Sequence, residues 1–365
     1  MALSKIPPSG QTQYAGVRNL IINVAVQVAQ RGDTTSVTAG YGGADRFRFF
    51  RSGAAVVSLE QDTDVPSNQG FSNSQKVDVT TADSSLAAGD YAMITHRIEG
   101  QNLQHLLYGT SGAKKLTLQF WVRSPKTGTH IVELYHGDAF YFNNQTYTIA
   151  SADTWQKVTV TFDGYQTTAL DNDTGIGIQI AWWLAAGSTY SGGTLSSNTW
   201  HNTAANRAVG QVNVVDSTSN NFYLTGVQLE VGDKATDFEH RSFDDELDRC
   251  KRYYQKSFAY GTAPANDIFG VRHAISKGGD STVYGGARVD LEKSMRATPT
   301  AVAYNPQAAP ANSGAYLNDI QNGSTTTQYA ITSINGYTDH LHFYVGGFNQ
   351  GANDYGCNWT ADAEL

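Results

Sequence analysis

The residues of this chain that could do chemistry are aromatic rings and amides set among small polar residues, a set that stacks on the C–H side of a sugar and bonds its hydroxyls. The stretch from Trp182 to Gly210 holds Trp183, Tyr190 and Trp200 among Ser, Thr, Gly and Asn, with no strand-like alternation from Ala185 to Ala208. A loop of that length in a compact domain is usually functional or disordered. Tyr190 and Trp200 are therefore candidate glycan contacts, with packing or a subunit contact as the plainer alternative. Nearer the C-terminus, Tyr304, Tyr316, Tyr355 and Trp359 stand close to Gly- and Asn-rich turns and offer the same chemistry. A β-rich chain exposes several tyrosines in any case.

Other constellations are weaker. His340 and His342 would share one strand face, where two imidazoles could take a transition metal, but Leu341, Phe343 and Val345 on the opposite face leave them readable as a solvated pair. Asp171-Asn172-Asp173-Thr174-Gly175 opens like a calcium loop and then fails, because its sixth and twelfth positions are Ile176 and Trp182 where such a loop needs Gly and Glu. Gly-x-Ser-x-Gly, a Walker loop and His-Glu-x-x-His are all missing from the sequence. Paired carboxylates converging in space stay open, although Asp244 and Asp245 read as helix N-terminal charges and Asp62 and Asp64 as a loop. No catalytic, cofactor-binding or metal residue is assigned, no cofactor is expected, and the chain is read as not an enzyme.

Composition limits the partners. With 365 residues, 16% of them charged, and a net charge of −8, the chain lacks the basic excess a polyanion requires, so no nucleic acid is expected. No apolar run is long enough to cross a membrane and Met1 to Gly10 has no signal-peptide core, so the chain reads as soluble, made in the host cytoplasm, with no membrane insertion. Cys250 and Cys357 allow at most one disulfide.

The elements that must position these residues are strands. Residues 1–18 have no sustained period and carry Pro7-Pro8, which reads as an attachment arm. From residue 19 to 241, short β-type runs recur between turn clusters: Leu20 to Val28, Arg46 to Phe50, Lys76 to Thr80, Tyr91 to Ile98, Leu116 to Val122, His130 to Tyr135, Trp155 to Phe162, Gly175 to Trp183, Gly210 to Val214 and Phe222 to Val231. In Lys157 to Phe162, Val158, Val160 and Phe162 alternate with Lys157, Thr159 and Thr161, so one face is wet. Ser242-Phe243-Asp244-Asp245 then caps a helix over 242–257, with Phe243, Leu247, Cys250 and Tyr254 on one stripe as candidate oligomer contacts, or as a face lying on the sandwich. Strand signals resume over 258–365, where Asn335-Gly336 predicts a hairpin. The fold class is all-β: a jelly-roll β-sandwich, a short linking helix, and a second, smaller β-sandwich-like domain.

Four stretches carry a resemblance: Asn19-Leu20-Ile21-Ile22-Asn23, Leu118 to Ser124, Ala152 to Lys157, and Phe222 to Gly232, followed by Ala235 to Ser242 and Arg249-Cys250-Lys251-Arg252-Tyr253-Tyr254. In this order they resemble the jelly-roll module of bacteriophage tail-fibre and related receptor-binding virion proteins, over roughly residues 19 to 258. Met295 to Thr300 and Trp359 to Leu365 resemble that family more weakly. The opening and closing strands are more distantly similar to carbohydrate-binding modules, although Gln27 and Thr225 stand where those modules tend to have acids, which removes ligands that a structural calcium would use. The resemblance implies a virion protein that self-associates as a homotrimer, is joined to another tail or adaptor protein by its N-terminal arm, and presents residues 258–365 as a distal tip to a host cell-surface glycan or other receptor. A head, neck or tail decoration protein without receptor binding, and a capsular polysaccharide depolymerase, are the alternatives.

Overall fold

The computed structural model describes residues 18–266, 271–273, 285–305, 316–319, 328–345 and 355–365. Up to residue 231 its strands, in chain order, are β1 (Thr34–Val37), β2 (Gly40–Tyr41), β3 (Arg48–Ser52), β4 (Val56–Asp62), β5 (Ser74–Thr81), β6 (Tyr91–Glu99), β7 (Leu116–Arg123), β8 (Gly128–His136), β9 (Tyr141–Ile149), β10 (Gln156–Phe162), β11 (Ile176–Ala186) and β12 (Asn221–Val231). One sheet runs β1-β4-β5-β12-β7-β10 and the other β2-β3-β6-β11-β8-β9. All their pairings are antiparallel, and the chain crosses repeatedly between the two sheets, as in a jelly roll. Between the sheets lies one continuous core in which Phe120 meets Trp182 edge-on at 5.7 Å and Tyr147 at 5.3 Å.

The expected strand over Leu20 to Val28 does not form. Asn23 takes φ +63° and Val26 φ +57°. The Asn23 amide donates to the carbonyls of Val28 and Asp45 and accepts from the Val28 N–H. Side-chain bonds thus replace a ladder and fold this apolar segment into a tight buried turn. Gly210 to Val214 is likewise no strand; it leads into a single 3-10 turn at Val214–Asp216.

Two helices are described: α1 (Ser188–Ser191) in the long loop and α2 (Phe243–Lys251). The Ser242 hydroxyl accepts from the Asp245 N–H, so the expected cap is present, but the helix is shorter than the 242–257 span. Tyr254 belongs instead to β13 (Tyr254–Lys256), whose backbone pairs with the last strand. Beyond it come β14 (Val271–His273), β15 (Gly285–Asp290), β16 (Thr300–Tyr304), β17 (Tyr316–Asp319), β18 (Gln328–Gly336), β19 (His340–Val345) and β20 (Tyr355–Asp362). They form a third sheet, β13-β20-β17-β18-β19-β15, with β14 and β16 also paired to β20. Strands β18 and β19 form a hairpin as expected, but Asn335 and Gly336 are not its turn: they lie inside β18, paired with His342 and Leu341, and the chain reverses over Tyr337 to Asp339. Leu341, Phe343, Cys357 and Trp359 make this sheet's own small core. Both cysteines are buried free thiols. The attachment arm, apart from Arg18, lies outside the described residues.

The sandwich buries neutral imidazoles. His130 is fully buried against the Tyr147 ring at 5.4 Å, with only the Lys126 carbonyl as partner, and desolvation lowers its pKa to about 4. The unfolded chain would take that proton near pH 6.5, so the stability carried by the neutral ring is present above pH 6.5 and is lost as pH falls toward 4. A His130→Phe variant should therefore gain on the parent by about 3 kcal/mol between those limits, at ~1.4 kcal/mol per pH unit. Denaturant melts across that window check this; a pH-independent difference refutes it.

Candidate functional site

Alternation along the second sheet sends one set of side chains into the core and another outward. On β6, Ile94 and Ile98 point in while Met93, Thr95 and Arg97 point out; on β11, Ile180 and Trp182 point in while Gln179, Ala181 and Trp183 point out. Register then aligns the outward set into rows. Arg97, Gln179, Tyr135 and Phe142 are consecutive cross-strand partners over β6, β11, β8 and β9. At a strand spacing of about 4.8 Å this row is about 14 Å long. Its neighbour is Tyr41, Arg48, Thr95, Ala181, Glu133 and Asn144, in which small Thr95 and Ala181 sit between taller side chains.

One end of the first row is aromatic. Tyr135 and Phe142 stack at 5.3 Å and 24°, and Phe140, 67% exposed, stands 6.2 Å from Tyr135. Phe140 has φ +57°, a conformation an L residue adopts at a cost of ~1–2 kcal/mol, where the chain turns from β8 into β9 with the Phe140 N–H donating to the His136 carbonyl at 3.0 Å. The other end is polar: Arg97 Nε donates to Gln179 Oε1 at 2.7 Å.

A buried ionic network fixes the aromatic end. Glu133, fully buried, takes both Arg207 Nε at 3.0 Å and Nη2 at 2.7 Å, while Asn144 donates to the same carboxylate at 2.9 Å and shares a hydrogen bond with His201 at 2.6 Å. The bidentate fork lays the Arg207 guanidinium 3.9 Å from the Phe142 ring centre. Burial works against the charge on Arg207, but Glu133 outweighs it and the guanidinium pKa is raised. Above this, Tyr190 meets Tyr91 edge-on at 5.4 Å and lies 5.6 Å from Trp183, roofing the apolar row that runs through Phe50, Met93 and Trp183.

The sequence candidates fall in different places. Tyr190 is half-buried at the border of this face. Trp200 turns the other way, packed against Tyr108, His136 and Tyr165 with its N–H on the Asp163 carbonyl at 2.6 Å, which makes it a packing residue. Trp359 is 6% exposed inside the third sheet's core and has no face to offer. Tyr304 is half-buried beside Phe258, and the side chains of Tyr316 and Tyr355 lie outside the described residues. Of the oligomer candidates, Phe243 is 40% exposed and edge-on to Tyr260, Leu247 is half-buried, and Cys250 and Tyr254 are buried within the chain, so the four do not form one open seam. Among the described residues no His/Cys/Asp/Glu group is arranged to hold a metal. Asp171 to Gly175 forms a turn in which Asp173 accepts the Gly175 N–H.

Sequence reasoning missed Tyr135, Phe140, Phe142, Gln179, Arg97 and Arg207. The signal available was the crowding of Tyr135, Phe140, Tyr141 and Phe142 around Gly137-Asp138.

No protein-family model matches the chain, and no curated protein does. Among solved structures it is similar to the enzymatically active domain of bacteriophage CBA120 tailspike protein 4, at 12% identity and TM-score 0.32, over 59% of this chain and 21% of that one. It is also similar to the family 11 carbohydrate-binding module of cellulase Lic26A-Cel5E of Clostridium thermocellum, at 12% identity and TM-score 0.28, over 58% and 98%. A third is TmCBM61 in complex with beta-1,4-galactotriose, at 10% identity and TM-score 0.27, over 59% and 99%. The chain spans about a fifth of the length of that tailspike domain. All three scores are low, and the site rests on its own geometry.

Replacing Glu133 with Ala leaves Arg207 facing a cavity without its counter-charge. Removing one partner of a buried pair costs about 3–5 kcal/mol; with Arg207 partly open to solvent, the expected loss is toward ~3 kcal/mol. A double-mutant cycle with Arg207→Met checks it: additive losses would show that the pair is not coupled.

Proposed function

We propose that this chain is a non-catalytic glycan-binding protein of a phage virion, a tail fibre whose jelly-roll face contacts a sugar on the host surface. The observation that carries this is the row Arg97–Gln179–Tyr135–Phe142 with Phe140 at its end, an aromatic platform continuous with amide and guanidinium donors on rigid strands. Rings stack on a pyranose face, and the polar end bonds hydroxyls from groups held by their own partners. The motif order over residues 19–258 supports the fibre assignment. Glu133, a carboxylate on this face, is committed to Arg207, which supports binding over bond cleavage.

In this reading the arm joins the chain to a tail or adaptor protein, and self-association into a homotrimer multiplies weak sites into useful avidity. The sandwich face joins residues 258–365 as a place of recognition in this reading. Phe140→Ala should weaken adsorption to host cells or an arrayed host glycan about tenfold, within the ~1–3 kcal/mol of a contact residue, while leaving the melting temperature unchanged because the ring packs on little. Undiminished adsorption by a Phe140→Ala, Tyr135→Ala double variant would remove this face from the reading. New reducing ends released from host polysaccharide would replace adhesion by depolymerisation, and light scattering that shows a monomer at micromolar concentration would remove the trimer.

A further inference from the structure

We infer that the third sheet carries a second carbohydrate subsite, for an uncharged sugar, joined to the Arg97 end of the jelly-roll row, so that one glycan chain engages both. A groove of about 460 Å³ crosses β13, β20 and β16, within the range of ligand pockets. Tyr254 and Thr360 form its buried floor, and Thr300, Val302 and Tyr304 its outer wall. The alternation that turns Ala301, Ala303 and Ala361 into the core turns these side chains outward. Tyr304 is braced edge-on by Phe258 at 5.3 Å and 82°. A ring held in one orientation beside two hydroxyls and the half-open Asp362 carboxylate pairs an aromatic surface with hydrogen-bond acceptors, where the first site pairs one with donors.

Charge selects the sugar. Asp362 and Glu364 both line the groove, and Arg31 and Arg46 neutralise them from the jelly-roll side. An acidic sugar would bring its carboxylate against two carboxylates already matched, whereas neutral hydroxyls can donate to the remaining lone pairs. A chain of contacts joins groove to row. Arg31 reaches Asp362 at 2.9 Å and lies over the rings of Tyr254 and Tyr41 at 3.8 and 5.0 Å. Tyr41 donates to the Leu365 carbonyl at 3.2 Å, and Arg97, the first residue of the row, donates to the same oxygen at 2.5 Å.

The proposal rests on the glycan-binding reading of the row, and its test separates the two. The full chain is titrated calorimetrically with short and long fragments of neutral β-glucan, galactan and mannan. Tyr304→Ala should weaken binding of the longest fragment about tenfold, equal to ~1.4 kcal/mol, without changing a short one. Tyr304→Phe keeps the ring and should bind as the parent does, whereas Phe142→Ala should weaken short and long fragments alike. Thr300→Lys, which fills the groove from an exposed position with no packing to lose, should reproduce Tyr304→Ala; this covers the case in which the alanine variant fails to fold. If Tyr304→Ala and Thr300→Lys both bind the long fragment with parental affinity while Phe142→Ala does not, the second subsite is refuted and the row stands. If the parent binds no fragment, or Phe142→Ala has no effect, both readings fall.

Discussion

The guanidinium of Arg46 is the interaction on which the arrangement of the sheets depends. It is 1% exposed, is ion-paired to Glu364, donates to the Arg97 carbonyl at 2.6 Å, and lies 3.4 Å from the Tyr253 ring. Burial opposes its charge, but Glu364 overcomes that and its pKa is raised. A buried pair of this kind adds little net stability, yet losing either partner strands a charge in the interior. The chain must therefore bring the segment after β20 back onto the sandwich. Around this pair stand Arg31, held between Asp45, Asp362 and Glu364, and Arg252, forked onto the buried Glu99, which also accepts from the Tyr253 hydroxyl at 2.6 Å. The third sheet is thus fixed to the jelly roll by charges buried at their seam.

That fixation reaches the face proposed to bind. The Arg97 backbone carbonyl is held by Arg46 while its side chain spans Gln179 and Leu365. The polar end of the row is then oriented before any ligand arrives, as the aromatic end is by Glu133 and Arg207. Both ends draw their rigidity from ion pairs beneath the surface. Apart from the exposed Phe140, these side chains would have little entropy left to lose on binding, which is what preorganisation contributes to affinity.

Much of the sandwich was legible because its strands have one wet and one dry face: β7, β10 and β12 lie within a residue or so of the runs read from alternation. What was lost, was lost for identifiable reasons. Strand β9 puts Tyr141, Asn143 and Tyr147 on one side and Phe142 and Asn144 on the other, so aromatic and amide residues fall on both and no period survives. The site lies on that strand. Trp200 reads like a platform because its neighbours are small and polar, but the polar residues serve the loop's own backbone and the ring serves the core. Tyr254 continues the helical stripe of Phe243 and Cys250 in sequence, yet three residues of pairing with β20 satisfy its backbone as a strand. Period marks a face only where local bonds do not compete.

The aromatic end combines two kinds of support. Phe142 is clamped between the Arg207 guanidinium and Tyr135, whereas Phe140 stands mostly in solvent in a left-handed turn. A ring so placed gives up hydrophobic burial and takes on backbone strain, and neither loss is repaid inside the chain; a partner that covers it recovers the first without altering the second. In the proposed reading the clamped Phe142 ring would brace Tyr135, and Tyr135 and the exposed Phe140 would be the rings that meet a sugar. Sites of this kind bind weakly one at a time, because few groups are desolvated at each, and they become selective when several must be filled together. The proposed second groove, on the third sheet and joined to the Arg97 end of the row by buried charge, would offer that within one chain: the spacing between the two would reject any glycan too short or too bent to reach both.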